Sequence, residues 1–69
     1  MNKFLVVIEK AGRNFSAFCP DLPGCIATGP TREKVEKNIR DAISFHLDGL
    51  KEDGHPVPRH AARAAYVVV

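Results

Sequence analysis

Residues 15–31 read FSAFCPDLPGCIATGPT, and this stretch decides the fold. Its centre, Pro20-Asp21-Leu22-Pro23-Gly24, excludes regular structure, because both prolines lack an N–H and Gly24 suits a turn. On either side the chain has strand character. Residues 15–19 (FSAFC) and 25–28 (CIAT) are expected as two short strands joined across that turn. Thr31 then opens a helix as its N-cap, although Lys34 stands where a capping box would place Glu or Gln.

Upstream, residues 3–10 (KFLVVIEK) are β-branched and aromatic and predict a first strand. Phe4, Val6 and Ile8 would share one face and Leu5 and Val7 the other, so both faces need cover. Residues 11–14 (AGRN) form a hairpin connection in which Gly12 or Asn14 takes positive φ. Downstream, Val35, Ile39, Ala42, Ile43, His46, Leu47 and Leu50 recur at the spacing of one helical face, with Phe45 off that stripe. Gly54 is the C-terminal stop, and Pro56 and Pro58 prevent continuation. Residues 64–69 (AAYVVV) are expected as a fourth strand. The order is strand, strand, strand, helix, strand: an α+β fold, a small β-β-β-α-β sheet with one helix packed on one face.

The whole chain is 69 residues, 45% hydrophobic and 26% charged, which is a folding composition for one small domain over residues 1–69. A domain this short buries only about 60% of its unfolded surface, so its core is thin. The apolar run at residues 4–8 is five residues long and ends at Glu9, too short for a signal-peptide core or a membrane span. A soluble, cytoplasmic protein without membrane contact is the expectation. A net charge of +2 announces no nucleic-acid surface.

The helix carries Arg32, Lys34, Lys37 and Arg40 early and Asp41, Asp48, Glu52 and Asp53 late, against its own dipole. Glu33 with Lys37 and Glu36 with Arg40 are expected as compensating i, i+4 pairs of roughly 0.2–0.5 kcal/mol each.

A search for chemistry finds little. His46 sits near the centre of the helical stripe and reads as a core histidine bonded to backbone in preference to a buried general base. Cys19 and Cys25 with His55 and His60 make at best a weak zinc pattern, lacking Cys-x-x-Cys and His-x-x-x-His. A Cys19–Cys25 disulfide is sterically imaginable but disfavoured in a reducing cytosol, and the two read as small apolar fillers. Converging carboxylates for metal-assisted phosphodiester cleavage cannot be assembled. No catalytic residue, metal or cofactor is assigned.

What stands out instead is apolar surplus. One helix covers one sheet face, leaving Leu5, Val7 and one of Phe15 and Phe18, which alternation places on opposite faces. The uncharged end Tyr66, Val67, Val68 and Val69 adds to it. A second copy, in a homodimer or homotetramer, or a partner protein should cover Leu5, Val7 and Tyr66, Val67, Val68 and Val69.

The stretch at residues 15–31 resembles the signature of the HicB family of bacterial antitoxins: a strand, then Pro-Asp-Leu-Pro-Gly-Cys, a small-residue strand, a Gly and a helix-opening Thr. Glu33, residues 38–42, Phe45-His46-Leu47, Leu50 and the exit at residues 54–58 (GHPVP) are similar too, so the resemblance covers about the whole chain. It implies a partial ribonuclease H-like fold and a HicA-type toxin as partner, a small RNA-cleaving protein whose active site the antitoxin blocks. It implies no turnover by this chain.

The resemblance implies that many longer relatives carry a C-terminal DNA-binding domain. This sequence stops at Val69, so no such domain and no direct DNA contact are expected. Phe15, Phe18, Pro20, Asp21, Leu22, Pro23 and Gly24 are the candidate partner-facing residues, Asp21 meeting a basic surface. Alternatively, the Pro-Asp-Leu-Pro-Gly turn only fixes the crossover, with Leu22 tucked into the core. Two further readings are an orphan self-assembling module and a divergent RNA-processing enzyme in which Glu9, Asp21 and His46 converge on a metal.

Overall fold

A computed structural model describes residues 3–69. Its regular elements are β1 (Val7–Ala11), β2 (Asn14–Phe18), β3 (Ile26–Gly29) and α1 (Arg32–Glu52). The three strands form one antiparallel sheet in the order β1-β2-β3. The fold is α+β, as the sequence predicts.

Each connection has a local cause. The β1–β2 hairpin closes on Ala11 opposite Asn14, and Gly12 has φ +63° while Arg13 does not leave the negative region. Positive φ at the first central position alone is the pattern of a type II′ turn, whose twist matches the strands. Pairing runs only from Val7 opposite Phe18 to that turn. Residues 3–6 were expected inside the first strand, but β2 ends at Phe18, and continuing the register would set Leu5 against Pro20, which has no N–H.

The helix begins and ends as read. Thr31 Oγ1 accepts the Lys34 N–H at 3.1 Å, and Gly54 takes φ +75° just beyond the Asp53 cap. Its ion pairs are Arg32–Glu36 at 3.4 Å and Lys37–Asp41 at 3.0 Å, not the expected Glu33–Lys37 and Glu36–Arg40. Each shared residue turns to its other i, i+4 neighbour, and all four side chains stay well solvated, so little energy separates the two sets.

The core lies between α1 and one sheet face. Val35, Ile39 and Leu47 of the helix meet Ala17, Cys19, Leu22 and Cys25. Phe4, Val6, Ile8 and Phe15 pack against this cluster from the side. The small residues of β2 and β3 let the helix approach closely. A Cβ added to Gly29 would fall 2.9 Å from Val35 N and 3.1 Å from its Cα. Those are backbone atoms and cannot rotate away, so Gly29→Ala must displace the helix start. It is expected to cost about 1–3 kcal/mol by urea denaturation, and a neutral result would refute this close approach. On the same seam Asn38 Nδ2 donates to Thr28 O at 2.8 Å, tying the helix to β3.

The fourth strand expected over residues 64–69 is not formed. A strand exists only within a ladder, and this segment meets none: Tyr66 and Val68 are essentially fully exposed. The radius of gyration is 13.2 Å, against about 11 Å for a compact domain of this length.

Candidate functional site

The Pro-Asp-Leu-Pro-Gly segment is two consecutive β-turns. Leu22 N–H donates to Cys19 O, and Cys25 N–H donates to Leu22 O, each at 3.1 Å. In the second turn Pro23 precedes Gly24 at φ +82°, the requirement of a type II turn. Cys19 N–H donates to Cys25 O at 3.1 Å and closes the loop. Leu22, between the turns, points inward and is 1% exposed. Its expected place among the partner-facing residues is thus corrected: the side chain belongs to the core.

Asp21 is also engaged within the chain. Its carboxylate accepts the N–H groups of Ala61 and Ala62 at 3.1–3.3 Å, anchoring the C-terminal segment to the turn. This anchoring role stands beside the expected presentation of Asp21 to a basic surface, and nothing in the sequence pattern announces it. Asp21→Ala is expected to speed amide exchange at Ala61 and Ala62 about tenfold while leaving the core amides unchanged, and unchanged exchange at those two sites would remove the anchor. Pro20, Pro23 and Gly24 remain exposed at the tip of the loop.

Register resolves the two phenylalanines. Ile8, Ala17 and Ala27 form one row facing α1, and Lys10, Phe15 and Gly29 the next. Phe15 therefore packs on the core. Phe18 lies on the opposite face, in a row with Val7 and Ile26, and Leu5 falls on the same side by alternation. Phe18 is 39% exposed and Ile26 69%, and among the described residues no other element lies over this row. The next row of this open face is Glu9, Ser16 and Thr28. Sequence reasoning missed Ile26, because CIAT has no apolar–polar contrast to show which side faces out.

A second unfilled feature lies on the helix side. A cleft of about 390 Å³ separates residues 3–8 from α1, lined by the apolar Phe4, Val6, Ile8, Ile39 and Ile43 and by the charged Lys3, Glu36 and Arg40. It arises because α1 sits over β3 and β2 and overhangs the edge strand β1 only slightly.

The groups weighed for chemistry are dispersed. Glu9 is on the open sheet face, Asp21 holds the tail and His46 is half-buried on α1, outside the core. Among the described residues no three His, Cys, Asp or Glu side chains gather as a metal set. Cys19 and Cys25 are buried free thiols. Burial, and secondarily the neighbouring Cys19, pushes the Cys25 thiol above its usual range, which keeps it protonated and poorly nucleophilic at neutral pH. Among the described residues no helix is long and apolar enough to cross a membrane.

Comparison with known proteins bears directly on this arrangement. The HicB_like antitoxin family of bacterial toxin–antitoxin systems matches residues 4–68. The chain belongs to that family. The HicB-like fold is also seen in solved structures. The N-terminal domain of the Burkholderia pseudomallei antitoxin HicB superposes with a TM-score of 0.71 at 34% identity, over 75% of this chain and 62% of that one. A chain of the HicA3 and HicB3 toxin–antitoxin complex gives a TM-score of 0.62 at 30% identity, over 78% and 66%.

Relatives at the sequence level include an uncharacterized 14.9 kDa protein from the rep-hol intergenic region of Haemophilus phage HP1, 34% identical over 90% of this chain and 47% of its own length. A UPF0150 protein of Thermoplasma acidophilum is 33% identical over 87% and 88%. This HicB-like chain thus spans about half of the phage relative and under two thirds of the Burkholderia domain structure.

Proposed function

We propose that this HicB-like protein is the neutralising member of a toxin–antitoxin pair, binding a HicA-type toxin and blocking its RNA-cleaving site without turnover of its own. The observation that carries the reading is the open sheet face: an apolar row of Val7, Phe18 and Ile26 over which no helix or strand of the described residues packs. An uncovered apolar row on a rigid sheet supports recognition of a folded partner, since exposed patches of this kind mark interaction surfaces. Glu9 beside it contributes negative charge toward a basic RNA-binding surface, and charge complementarity of this sort speeds encounter. The loop tip at Pro20, Pro23 and Gly24 borders the row at the Phe18 end and extends the contact. The protein works in the cytoplasm, where Cys19 and Cys25 stay reduced, and it self-associates as a dimer or tetramer.

Expression of a HicA-type toxin from the same genome, alone and with this chain, tests the proposal. Growth rescue together with arrested RNA cleavage by the purified mixture supports it. Unabated cleavage at stoichiometric excess of this chain overturns it.

A further inference from the structure

We infer that Cys19 and Cys25 form a reversible disulfide when an oxidant reaches them, a covalent latch across the base of the Pro-Asp-Leu-Pro-Gly turn. This bond is independent of toxin binding and of self-association. Register places the two side chains together. Pairing of β2 with β3 ends at Phe18 opposite Ile26, and one further step sets Cys19 opposite Cys25. The Cys19 N–H donates to Cys25 O at 3.1 Å, so the ladder reaches this pair. Directly opposed residues at a hydrogen-bonded antiparallel site have Cα atoms about 5.5 Å apart. Disulfides span roughly 4.4–6.8 Å between Cα atoms. Opposed residues also send their side chains to the same face, and both thiols lie in the core cluster with Leu22 and Val35.

The backbone here has slack. A regular pair at such a site exchanges two N–H···O bonds. Here the Cys25 N–H turns away to Leu22 O, and Cys19 O takes the Leu22 N–H. One ladder bond therefore holds the pair, and the backbone can adjust to the geometry that a disulfide needs. The part that Cys19 takes in pushing the Cys25 thiol upward agrees with two thiols in proximity.

Both cysteines are buried, at 3% and 5% exposure, so in a reducing cytoplasm they rest as thiols and fill the core. Oxidation proceeds when the turn opens. With a small disulfide as oxidant, one cysteine thiolate attacks a sulfur of the oxidant, whose S–S bond breaks as one thiol leaves. The other cysteine then attacks the mixed disulfide, forming the Cys19–Cys25 bond and releasing the second thiol. Two electrons and both cysteine protons pass to the oxidant, which ends as two thiols. Closure across residues 19–25 restricts the unfolded chain and pins the turn whose tip borders the open sheet face.

Incubation of the folded protein with glutathione disulfide, read by intact mass, peptide mapping and thermal denaturation, tests the latch. The expected product is a chain lighter by two hydrogens, with Cys19 joined to Cys25. Its thermal midpoint should rise about 10 °C and fall back on adding dithiothreitol. Cys19→Ala and Cys25→Ala, each checked for a cooperative melt when reduced, are expected to show no rise with the oxidant. Glutathione retained on either cysteine as the end product, a bond between chains, or closure only in urea overturns the latch. So does an intrachain bond that lowers the midpoint, or a rise that persists in the two alanine variants.

Discussion

Leu22→Ala is expected to destabilise the protein by about 3 kcal/mol, from within the roughly 2–5 kcal/mol range of buried leucine truncations. Leu22 is 1% exposed, and with Val35 it is one of the two largest side chains fully enclosed by the fold. Its site cannot collapse easily. Leu22 N–H and C=O are both committed to the flanking turns, and the loop they form is closed by the backbone hydrogen bond from Cys19 N–H to Cys25 O. A cavity left there persists, and persistent cavities are the costly ones. A domain of this size has a total stability of roughly 3–10 kcal/mol, so one truncation removes a large share of it. By thermal denaturation the midpoint should fall about 12–24 °C. Leu22→Met, which conserves volume, should cost under about 1.5 kcal/mol. If both variants melt like the parent, Leu22 is no core anchor, and the turn returns to candidacy as a presented loop.

That result bears on how the signature is to be understood. The turn with Pro20, Leu22, Pro23 and Gly24 fits two roles, a presented loop or a structural crossover, and sequence spacing alone does not choose between them. Local chemistry made the turn legible: two prolines without N–H groups and a glycine at positive φ leave few conformations. The same holds for the Thr31 cap, the Gly54 stop and the outward Phe45, which is 83% exposed. Each of these is fixed within four residues of itself.

What the sequence left open depends on distant parts of the chain. Phe15 and Phe18 could not be ordered because FSAFC is apolar or neutral in both phases. The decision came from Ala17 and Cys19, whose small side chains admit Val35 and Ile39 and so turn Phe15 inward with them. Asp21's grip on Ala61 and Ala62 spans 40 residues and has no local signature. The fourth strand failed for a related reason. Residues 64–69 have the composition of a strand, but composition specifies only a willingness to pair, and pairing needs an edge within reach. The ion pairs on α1 show the weakest case, in which two sets of i, i+4 partners differ too little for sequence to rank.

Phe18→Asp and Ile26→Asp should each lower toxin affinity by about 2–4 kcal/mol, roughly thirty- to a thousandfold in Kd, if the open face is the binding surface. Both side chains stand in the exposed row, so a carboxylate there remains hydrated in the free protein and costs the fold little. Against a partner the same carboxylate is buried in an apolar contact without a counter-charge, which is the penalty that makes the effect large. Ile26 is the more diagnostic of the two, because it is 69% exposed and touches neither the core nor the loop closure.

Phe45→Asp provides the contrast. Phe45 is another strongly exposed aromatic, but it lies on α1 and stands alone on a charged helix face, the usual condition of an isolated surface apolar residue. Titration calorimetry with a HicA-type toxin separates the two faces directly. Weakening by the sheet variants with Phe45→Asp unchanged places the toxin on the open face. Weakening by Phe45→Asp alone moves it to the helix, and the apolar row of Val7, Phe18 and Ile26 would then need another occupant.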